Sequence, residues 1–321
     1  MSQDRRWTNI GLVDMDTSHA ELWIPLLRDM GYKIAGLFDS GAVYPSGYAQ
    51  AFAAKHNIAY VFDNVEAMAA SSHVDIAMIH SCNWDVHAAK ARPLIEAGKS
   101  VFINKPLAGH IADLLQIRAW VQSGARISGG SSLRTCMEIQ EQREVADLHG
   151  PVIAVYAGCG VDEFYYGVHA YSMAVGLLGG GIDRARHLGV SQHGQHHVEI
   201  EWQDGRQAIL LMGGGNWLPF HASVIYKDTV KQFEANNDTI SKVFLECLMP
   251  YLSRETDELP FSADALIEPE LAAIAANVSL HNAGAWVPIA DLDEKTAGYD
   301  GGEFCQKYRI EALEHYVGAT R

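Results

Sequence analysis

Residues 101–108 read V-F-I-N-K-P-L-A, and this stretch indicates both the fold and a candidate reacting group. The first four residues predict a short strand, which Lys105 and Pro106 end. Because proline disfavours the helical region for the residue before it, Lys105 is expected to be extended. Helical patterns lie on both sides, at residues 85–97 and 111–121. Lys105 is therefore predicted just past the carboxyl end of a strand, where α/β sheets bind ligands. A surface lysine in a tight turn is the alternative.

Strand and helix patterns alternate over the first third of the chain. Continuous apolar runs at residues 9–13, 33–38 and 74–79 predict strands that are buried on both faces, and helical segments separate them. Such runs are typical of a parallel sheet that is covered by helices on both sides. We therefore predict a Rossmann-like, doubly wound nucleotide-binding domain over residues 1–130.

The pattern changes after residue 130. Strand patterns dominate residues 152–212, and Asp204 followed by Gly205 is a strong hairpin signal between two of them. Helical patterns follow at residues 239–252, 265–282 and 304–317. Residues 131–321 are therefore predicted to form an α+β substrate-binding and oligomerisation domain with a mostly antiparallel open sheet.

Composition excludes several classes of partner. The 321 residues include 24 Lys and Arg against 39 Asp and Glu, a formal net charge of −15, which repels nucleic-acid backbones. No apolar run approaches the ~18 residues of a membrane span, and no secretory signal precedes the first strand, so no membrane partner and a cytoplasmic location are expected. The five cysteines form no C-x-x-C pair, which indicates reduced thiols.

Three motifs, in this order, resemble the glucose–fructose oxidoreductase and inositol dehydrogenase (Gfo/Idh/MocA) family. Residues 97–108, A-G-K-S-V-F-I-N-K-P-L-A, are similar to the family's A-G-K-x-V-x-x-E-K-P-x-A. Residues 131–134, S-S-L-R, are similar to the start of its second domain. Residues 166–169, Y-G-V-H, resemble the segment that supplies its substrate-side histidine.

The resemblance implies an NAD-linked oxidoreductase that moves hydride to or from a secondary alcohol of a sugar, cyclitol or related polyol. It implies that Lys105 contacts the nicotinamide ribose and the substrate hydroxyl, and that His169 acts as acid or base. The chemistry agrees, because oxidising an alcohol needs a group that takes the hydroxyl proton while the cofactor takes the hydride. A core histidine is the alternative for His169. The resemblance also implies a homo-oligomer formed through the open sheet face.

The loop after the first strand departs from the family's pattern. A dinucleotide fold has G-x-G-x-x-G there, whereas residues 14–19 read D-M-D-T-S-H. Asp14 and Asp16 would oppose a pyrophosphate, while the hydroxyls of Thr17 and Ser18 could bind it. Asp39, after the second strand, favours NAD over NADP if it binds a ribose 2′-hydroxyl, and is a turn residue otherwise. The predicted cofactor contacts are Asp16, Thr17, Ser18, His19, Asp39, Ser81, Asn83, His87, Asn104 and Lys105.

Two further departures concern the proton relay and the metal content. Asn104 replaces the family's Glu, and Ser172 stands where the resemblance leads one to expect an Asp. Asp14, Asp16 and His19 together allow a divalent metal site. The alternative function is a lyase, isomerase or hydrolase of the same fold, with or without metal assistance, that acts on a sugar-like substrate through Lys105, His169 and this cluster. A non-catalytic sugar-binding protein is the third hypothesis.

Overall fold

The computed structural model describes residues 8–319, and the first sheet lies in the first third of them. Its strands are β1 (Asn9–Val13), β2 (Lys33–Phe38), β3 (Tyr60–Val61), β4 (Ile76–Ile79), β5 (Ser100–Asn104) and β6 (Ile127–Gly130). They are parallel and follow the order β3-β2-β1-β4-β5-β6. This order reverses between β1 and β4, which is the usual place for a bound ligand. The predicted doubly wound, Rossmann-like sheet is confirmed.

Helices connect these strands as the sequence predicts. They are α1 (His19–Asp29), α2 (Tyr48–His56), α3 (Val65–Ala70), α4 (His87–Glu96) and α5 (Ile111–Gln122). The Asn64 side chain accepts a hydrogen bond from the Ala67 N–H and so caps α3, as expected from its position. The helix predicted from residue 85 begins at His87 instead, because Asn83 caps a single 3₁₀ turn over Trp84–Val86.

A second, mixed sheet follows in the later part of the chain. Its strands are β7 (Ala154–Gly158), β8 (Ile182–Val190), β9 (Gln195–Trp202), β10 (Gln207–Gly213), β11 (His221–Ile225), β12 (Val230–Glu234) and β13 (Val287–Pro288). They lie in the order β12-β11-β7-β10-β9-β8-β13, and only the β7–β10 pair is parallel among these described strands. The mostly antiparallel sheet and the β9–β10 hairpin are thus as predicted. The sequence patterns missed β11, β12 and β13.

Five further helices complete the described chain: α6 (Met137–His149), α7 (Val168–Leu178), α8 (Asn237–Leu252), α9 (Ala263–His281) and α10 (Gly301–Ala319). α7 and α9 cover one face of the second sheet. α8 and α9 also pack on the first sheet, where Phe244 joins the cluster around Trp23 and Ile267 joins the cluster around Ile103. The division at residue 130 stays a prediction. Within residues 8–319 no helix is long and apolar enough to cross a bilayer.

Candidate functional site

Lys105 lies in a deep cleft between the two sheets. It follows β5 directly, and the Lys105–Pro106 peptide bond is cis. Its ammonium donates to the backbone oxygen of Tyr165 at 2.9 Å and lies 3.2 Å from the centre of the Tyr165 ring. Only 5% of Lys105 is exposed, and burial lowers its pKa to about 7, while the nearby Asp162 carboxylate raises it. Lys105 can therefore exchange a proton near neutral pH.

His169 lies at the start of α7 and lines the same cleft. Its Nδ1 is 2.6 Å from the Ser131 hydroxyl oxygen, which also accepts the Leu133 N–H. This contact occupies Nδ1 and leaves Nε2 as the ring nitrogen available to a ligand. Burial and the nearby Lys105 hold the pKa of His169 well below its usual value. His169 is therefore a neutral imidazole at neutral pH, with an orientation set by Ser131.

Asn104 connects the loop after β1 to this cleft. The His19 Nδ1 is 3.1 Å from the Asn104 Oδ1, and the Asn104 amide donates to Thr17 at 3.1 Å. Asn104 is fully buried, so these contacts and the 2.9 Å bond from the Lys105 N–H use its amide. His19 stacks on Trp23. Asn104 and Thr17 thus hold the loop in place, and His19 faces the cleft.

Polar and aromatic side chains together line the cleft. Its volume is about 250 Å³, and residues of the loop after β1 and of α7 line it. The side chains that line it include Ser18, His19, Lys105, Tyr165, Tyr166, His169, Trp217 and Phe220. Basic and aromatic groups in one cleft suit a small hydroxylated ligand.

Asp14 does not oppose a ligand as the sequence analysis expects. Its buried carboxylate accepts hydrogen bonds from the Ser40 N–H and the Ser81 hydroxyl and forms an ion pair with Lys90 of α4. Although burial raises the pKa of Asp14, the Lys90 charge and the hydrogen bonds outweigh it and lower this pKa below its ordinary value. The charge of Asp14 is therefore neutralised within the protein, and Asp14 fastens the loop after β1 to those after β2 and β4.

The surroundings of Asp16 favour its protonated form. Burial, with the Asp14 charge beside it, raises the pKa of Asp16 to about 8. Its Oδ2 accepts the Cys82 N–H at 2.9 Å, and its buried Oδ1 contacts no described donor or acceptor of the protein. A protonated Asp16 can donate a hydrogen bond to an anion, and in this form it does not repel a pyrophosphate.

The remaining predicted cofactor contacts lie in different surroundings. Asp39 is half-buried after β2 and accepts the Gly41 N–H at 3.1 Å, which is the turn contact considered as its alternative. Asn83 caps the 3₁₀ turn, and Ser81 is bonded to Asp14. His87 is fully buried, with both ring nitrogens close to backbone oxygens, those of Ser81 and Leu107. His87 therefore supports the β4 and β5 loops from beneath rather than facing a ligand.

The metal alternative is not supported. Within residues 8–319 no three His, Cys, Asp or Glu side chains are grouped so that they could hold an ion. Asp14 forms an ion pair with Lys90, and the Nδ1 of His19 is bonded to Asn104. The cluster proposed from Asp14, Asp16 and His19 does not assemble.

The strand-end edge fits a dinucleotide in its chemistry. α1 begins at the loop, its N-cap Ser18 is exposed and makes no side-chain capping bond, and the orphaned Oδ1 of Asp16 lies nearby. A pyrophosphate binds favourably at a helix N-terminus, where hydroxyl groups and protonated carboxyl groups can donate hydrogen bonds to it. Ser18, Asp16 and Asp39 would hold the cofactor, and Lys105 would contact its nicotinamide end.

Helix α10 covers this edge of the sheet. Cys305 of α10 packs with Val43 after β2 and with Cys82 after β4, and Tyr308 packs on the same cluster. The N–H groups of Gly301 and Gly302 donate to Asp85. α10 thus bridges the loops after β2 and β4, above the loop that contains Asp16.

Sequence patterns missed several residues that shape the site. Lys90 lies within a predicted helix, and nothing local indicates that it reaches Asp14, 76 positions away. Asp162 precedes the tyrosines of the cleft by a few residues and has no motif of its own. Ser131 could have been found, since it begins the S-S-L-R segment that resembles the family. Its role as the partner of His169 needs the structure.

Comparison with known proteins finds one family that matches part of the chain in sequence and solved structures that share its fold. Residues 7–127 match the model of the oxidoreductase family with an NAD-binding Rossmann fold, GFO_IDH_MocA. No curated protein matches the chain in sequence.

Three solved structures illustrate the similarity in fold. Scyllo-inositol dehydrogenase from Lactobacillus casei with bound NAD(H) and scyllo-inositol is 13% identical, with a TM-score of 0.74 over 89% of this chain and 100% of that one. GenD2 from gentamicin A biosynthesis in complex with NAD is 14% identical (TM-score 0.73, 88% and 96% covered). An oxidoreductase from Thermotoga maritima is also 14% identical (TM-score 0.71, 89% and 99% covered).

At these identities the likeness establishes the shared fold alone, whereas the family match rests on the sequence of the first sheet and its helices. Residues 7–127 thus match the Gfo/Idh/MocA model, that of an oxidoreductase family with an NAD-binding Rossmann fold, and the rest of the chain shares the fold of the solved structures.

Proposed function

We propose that this protein is an NAD-dependent oxidoreductase that moves a hydride to or from a secondary alcohol carbon of a cyclitol, sugar or related polyol. The observation that carries the proposal is the pairing of Lys105 and His169 in one polar cleft beside the strand-end edge. Two similar structures, those from L. casei and from gentamicin biosynthesis, hold NAD or NAD(H), and the former also holds scyllo-inositol.

In this proposal Lys105 moves the hydroxyl proton. Because burial lowers its pKa to about 7, a large fraction of Lys105 is a neutral amine at neutral pH and can accept that proton. Bound NAD supplies the hydride acceptor. Once protonated, Lys105 places a positive charge beside the oxygen that becomes a carbonyl. The Asp162 carboxylate, which is near Lys105, favours this charged form.

His169 is placed to orient the substrate and to take part in the proton relay. In the tautomer whose Nδ1–H donates to the Ser131 hydroxyl oxygen, Nε2 of the neutral imidazole accepts a hydrogen bond from a substrate hydroxyl. In this proposal Ser131 is the partner of His169, and Ser172 has no part in the relay. Ser172 is buried in α7. The aromatic rings of Tyr166 and Phe220, which contact His169 edge to face, limit the space around it.

The size and polarity of the cleft support the proposed substrate class. A volume of about 250 Å³ admits a single ring rather than a long chain. The polar side chains of the cleft donate and accept hydrogen bonds, and a ring that carries several hydroxyls can pair with these side chains. The metal-assisted form of the alternative function has no cluster of described residues to support it.

A substrate screen tests this proposal. The reduced protein is incubated with NAD and a panel of inositol isomers, aldoses and linear polyols, and the appearance of NADH is followed by absorbance. We expect turnover with at least one cyclic polyol, and a loss of about 10²–10⁴-fold in the Lys105→Met variant. Unchanged turnover in Lys105→Met would overturn the assigned role. Turnover with no member of the panel, together with no NADH binding, would overturn the proposed function.

A further inference from the structure

Helix α10 holds two sulfur atoms together across the strand-end edge. The Cys82 thiol lies 3.0 Å from the Cys305 sulfur, although the two residues are 223 positions apart in the chain. Both are buried, with 2% and 8% of their surface exposed. A disulfide bond has a sulfur–sulfur distance of about 2.05 Å, so a relative movement of about 1 Å would bring the two atoms to bonding distance.

The position of this pair gives it a consequence for cofactor binding. Cys82 follows β4 at the point where the strand order reverses, and its N–H is bonded to Asp16. Cys305 and Tyr308 press on Cys82 from above, and Asp16 is close enough to Cys305 for their charges to interact. The pyrophosphate of a dinucleotide belongs above this loop, at the N-terminus of α1. α10 therefore packs on the same side of the sheet on which a dinucleotide would bind, against the loop that follows β4.

We propose that Cys82 and Cys305 form a reversible disulfide that fastens α10 over the strand-end edge and so excludes the dinucleotide, whereas the dithiol form lets α10 open. The cofactor half of this inference rests on the proposed function, and the disulfide half does not. Among the described residues, this is the cysteine pair whose sulfur atoms are in hydrogen-bond contact.

The chemistry balances with a peroxide as the oxidant. The Cys305 thiolate attacks hydrogen peroxide, which gives a sulfenic acid on Cys305 and releases hydroxide. The Cys82 sulfur then attacks the Cys305 sulfur, so that the disulfide forms and water leaves with the Cys82 proton. Two electrons pass from the two thiols to the peroxide. A dithiol reductant reverses the change by thiol–disulfide exchange.

Cys305 is the better first nucleophile. The Cys82 thiol donates a hydrogen bond to the Cys305 sulfur, and this contact lowers the pKa of Cys305 to about 7. The pKa of Cys82 is raised by the same contact and by burial. Cys305 is also the more exposed of the two, so a small oxidant can reach it, and its charged form is accessible near neutral pH.

The test uses the full chain in its reduced and peroxide-treated forms. Peptide mass mapping after treatment should show Cys82 linked to Cys305, and a dithiol should remove the link. NADH binding, followed by tryptophan fluorescence, should weaken by about tenfold or more on oxidation and recover on reduction. Cys305→Ser should bind NADH as the reduced parent does and should not respond to peroxide. The matched control Cys247→Ser, at a half-buried cysteine elsewhere, should keep the full response.

The outcomes separate the two halves of the account. If no Cys82–Cys305 link forms under peroxide, the proposal is overturned. A link that leaves NADH binding unchanged overturns the gating role. If the reduced protein binds no NADH, the proposed function fails. Hydrogen exchange then tests separately whether the disulfide fastens α10. Exchange of the α10 amides should slow on oxidation in the parent and stay unchanged in Cys305→Ser.

Discussion

At the scale of single residues, the surroundings of Lys105 decide how the proposed chemistry depends on pH. Burial lowers its pKa to about 7, and the Asp162 carboxylate offsets part of that effect. In the direction of alcohol oxidation the neutral amine is the active form, so the rate should rise as the pH increases through about 7. In the direction of carbonyl reduction the ammonium is the active form, and the rate should fall over the same range.

Asp162→Asn removes the charge that favours protonated Lys105. The pKa of Lys105 should therefore fall, and the inflection in the oxidation rate should move to lower pH. The measurement is kcat/KM against pH for the parent and the variant, with Asp204→Asn, a surface turn residue, as the control. An inflection that stays in place, or that moves to higher pH, would contradict the assignment of Lys105 as the titrating group.

The ion pair between Asp14 and Lys90 should govern stability rather than catalysis. Lys90→Met leaves the fully buried Asp14 carboxylate without its counter-charge, and breaking a buried pair costs about 3–5 kcal/mol of unfolding free energy. The folded-state pKa of Asp14 is lowered, so its contribution is present above the unfolded pKa and is lost as the pH falls through the folded pKa.

Urea unfolding of Lys90→Met at neutral pH measures this cost. The double variant Asp14→Asn with Lys90→Met should recover part of the loss, because no unpaired charge remains buried. Lys55→Met is the control, since Lys55 makes an exposed ion pair with Glu21 and its loss should change stability little. Equal losses of unfolding free energy in Lys90→Met and Lys55→Met would show that the buried ion pair stabilises the protein no more than the exposed one.

At the scale of elements, the position of α10 depends on how closely the backbone of its first residue, Gly301, approaches the 3₁₀ turn after β4. A Cβ on Gly301 would lie 2.6 Å from the Asn83 side chain and 2.9 Å from the Trp84 backbone nitrogen. Gly301→Val should therefore displace the start of α10 and loosen its cover over the strand-end edge. NADH should then associate several-fold faster, which stopped-flow fluorescence measures.

Gly302 offers a matched control for that experiment. A Cβ there would meet its nearest neighbour, the Asp300 side chain, at 3.3 Å, and the Asn83 side chain at 3.9 Å, so Gly302→Ala should leave α10 in place. Faster NADH association in Gly302→Ala but not in Gly301→Val would contradict the role given to the start of α10.

The elements predicted well from the sequence are those whose signals are local. β1, β2 and β5 are mostly apolar runs. Asn64 caps α3 by accepting a hydrogen bond from Ala67, only three positions further along the chain. The patterns missed β12, because most of its side chains are exposed and it carries little apolar signal. The neutralisation of Asp14, the contact between Ser131 and His169, and the cover by α10 join distant parts of the chain, so no periodicity predicts them.

At the scale of the whole molecule, the second sheet has one covered and one open face. Tyr156 is 53% exposed and lies in register with Ile209 on the open face, beside an ion pair between Arg186 and Glu199. An apolar surface with a few charged groups suits a symmetric contact with a second copy. We therefore expect a homo-oligomer through this face.

Light scattering at micromolar concentration tests the assembly. The parent should have a mass of at least twice 35.2 kDa, and Tyr156→Glu should shift it towards the monomer. Leu148→Glu, at an exposed leucine of α6 outside the sheet, is the control and should leave the mass unchanged. A monomeric parent would contradict this expectation.

The central claim is that the strand-end edge binds NAD although its loop has no glycine-rich sequence. Calorimetric titration of the reduced protein with NADH and with NADPH tests it most directly, and Asp39→Ala serves as the specificity variant. We predict saturable binding of NADH, about tenfold or more tighter than that of NADPH, and a smaller difference in Asp39→Ala. Binding of neither nucleotide to the fully reduced protein would contradict the account.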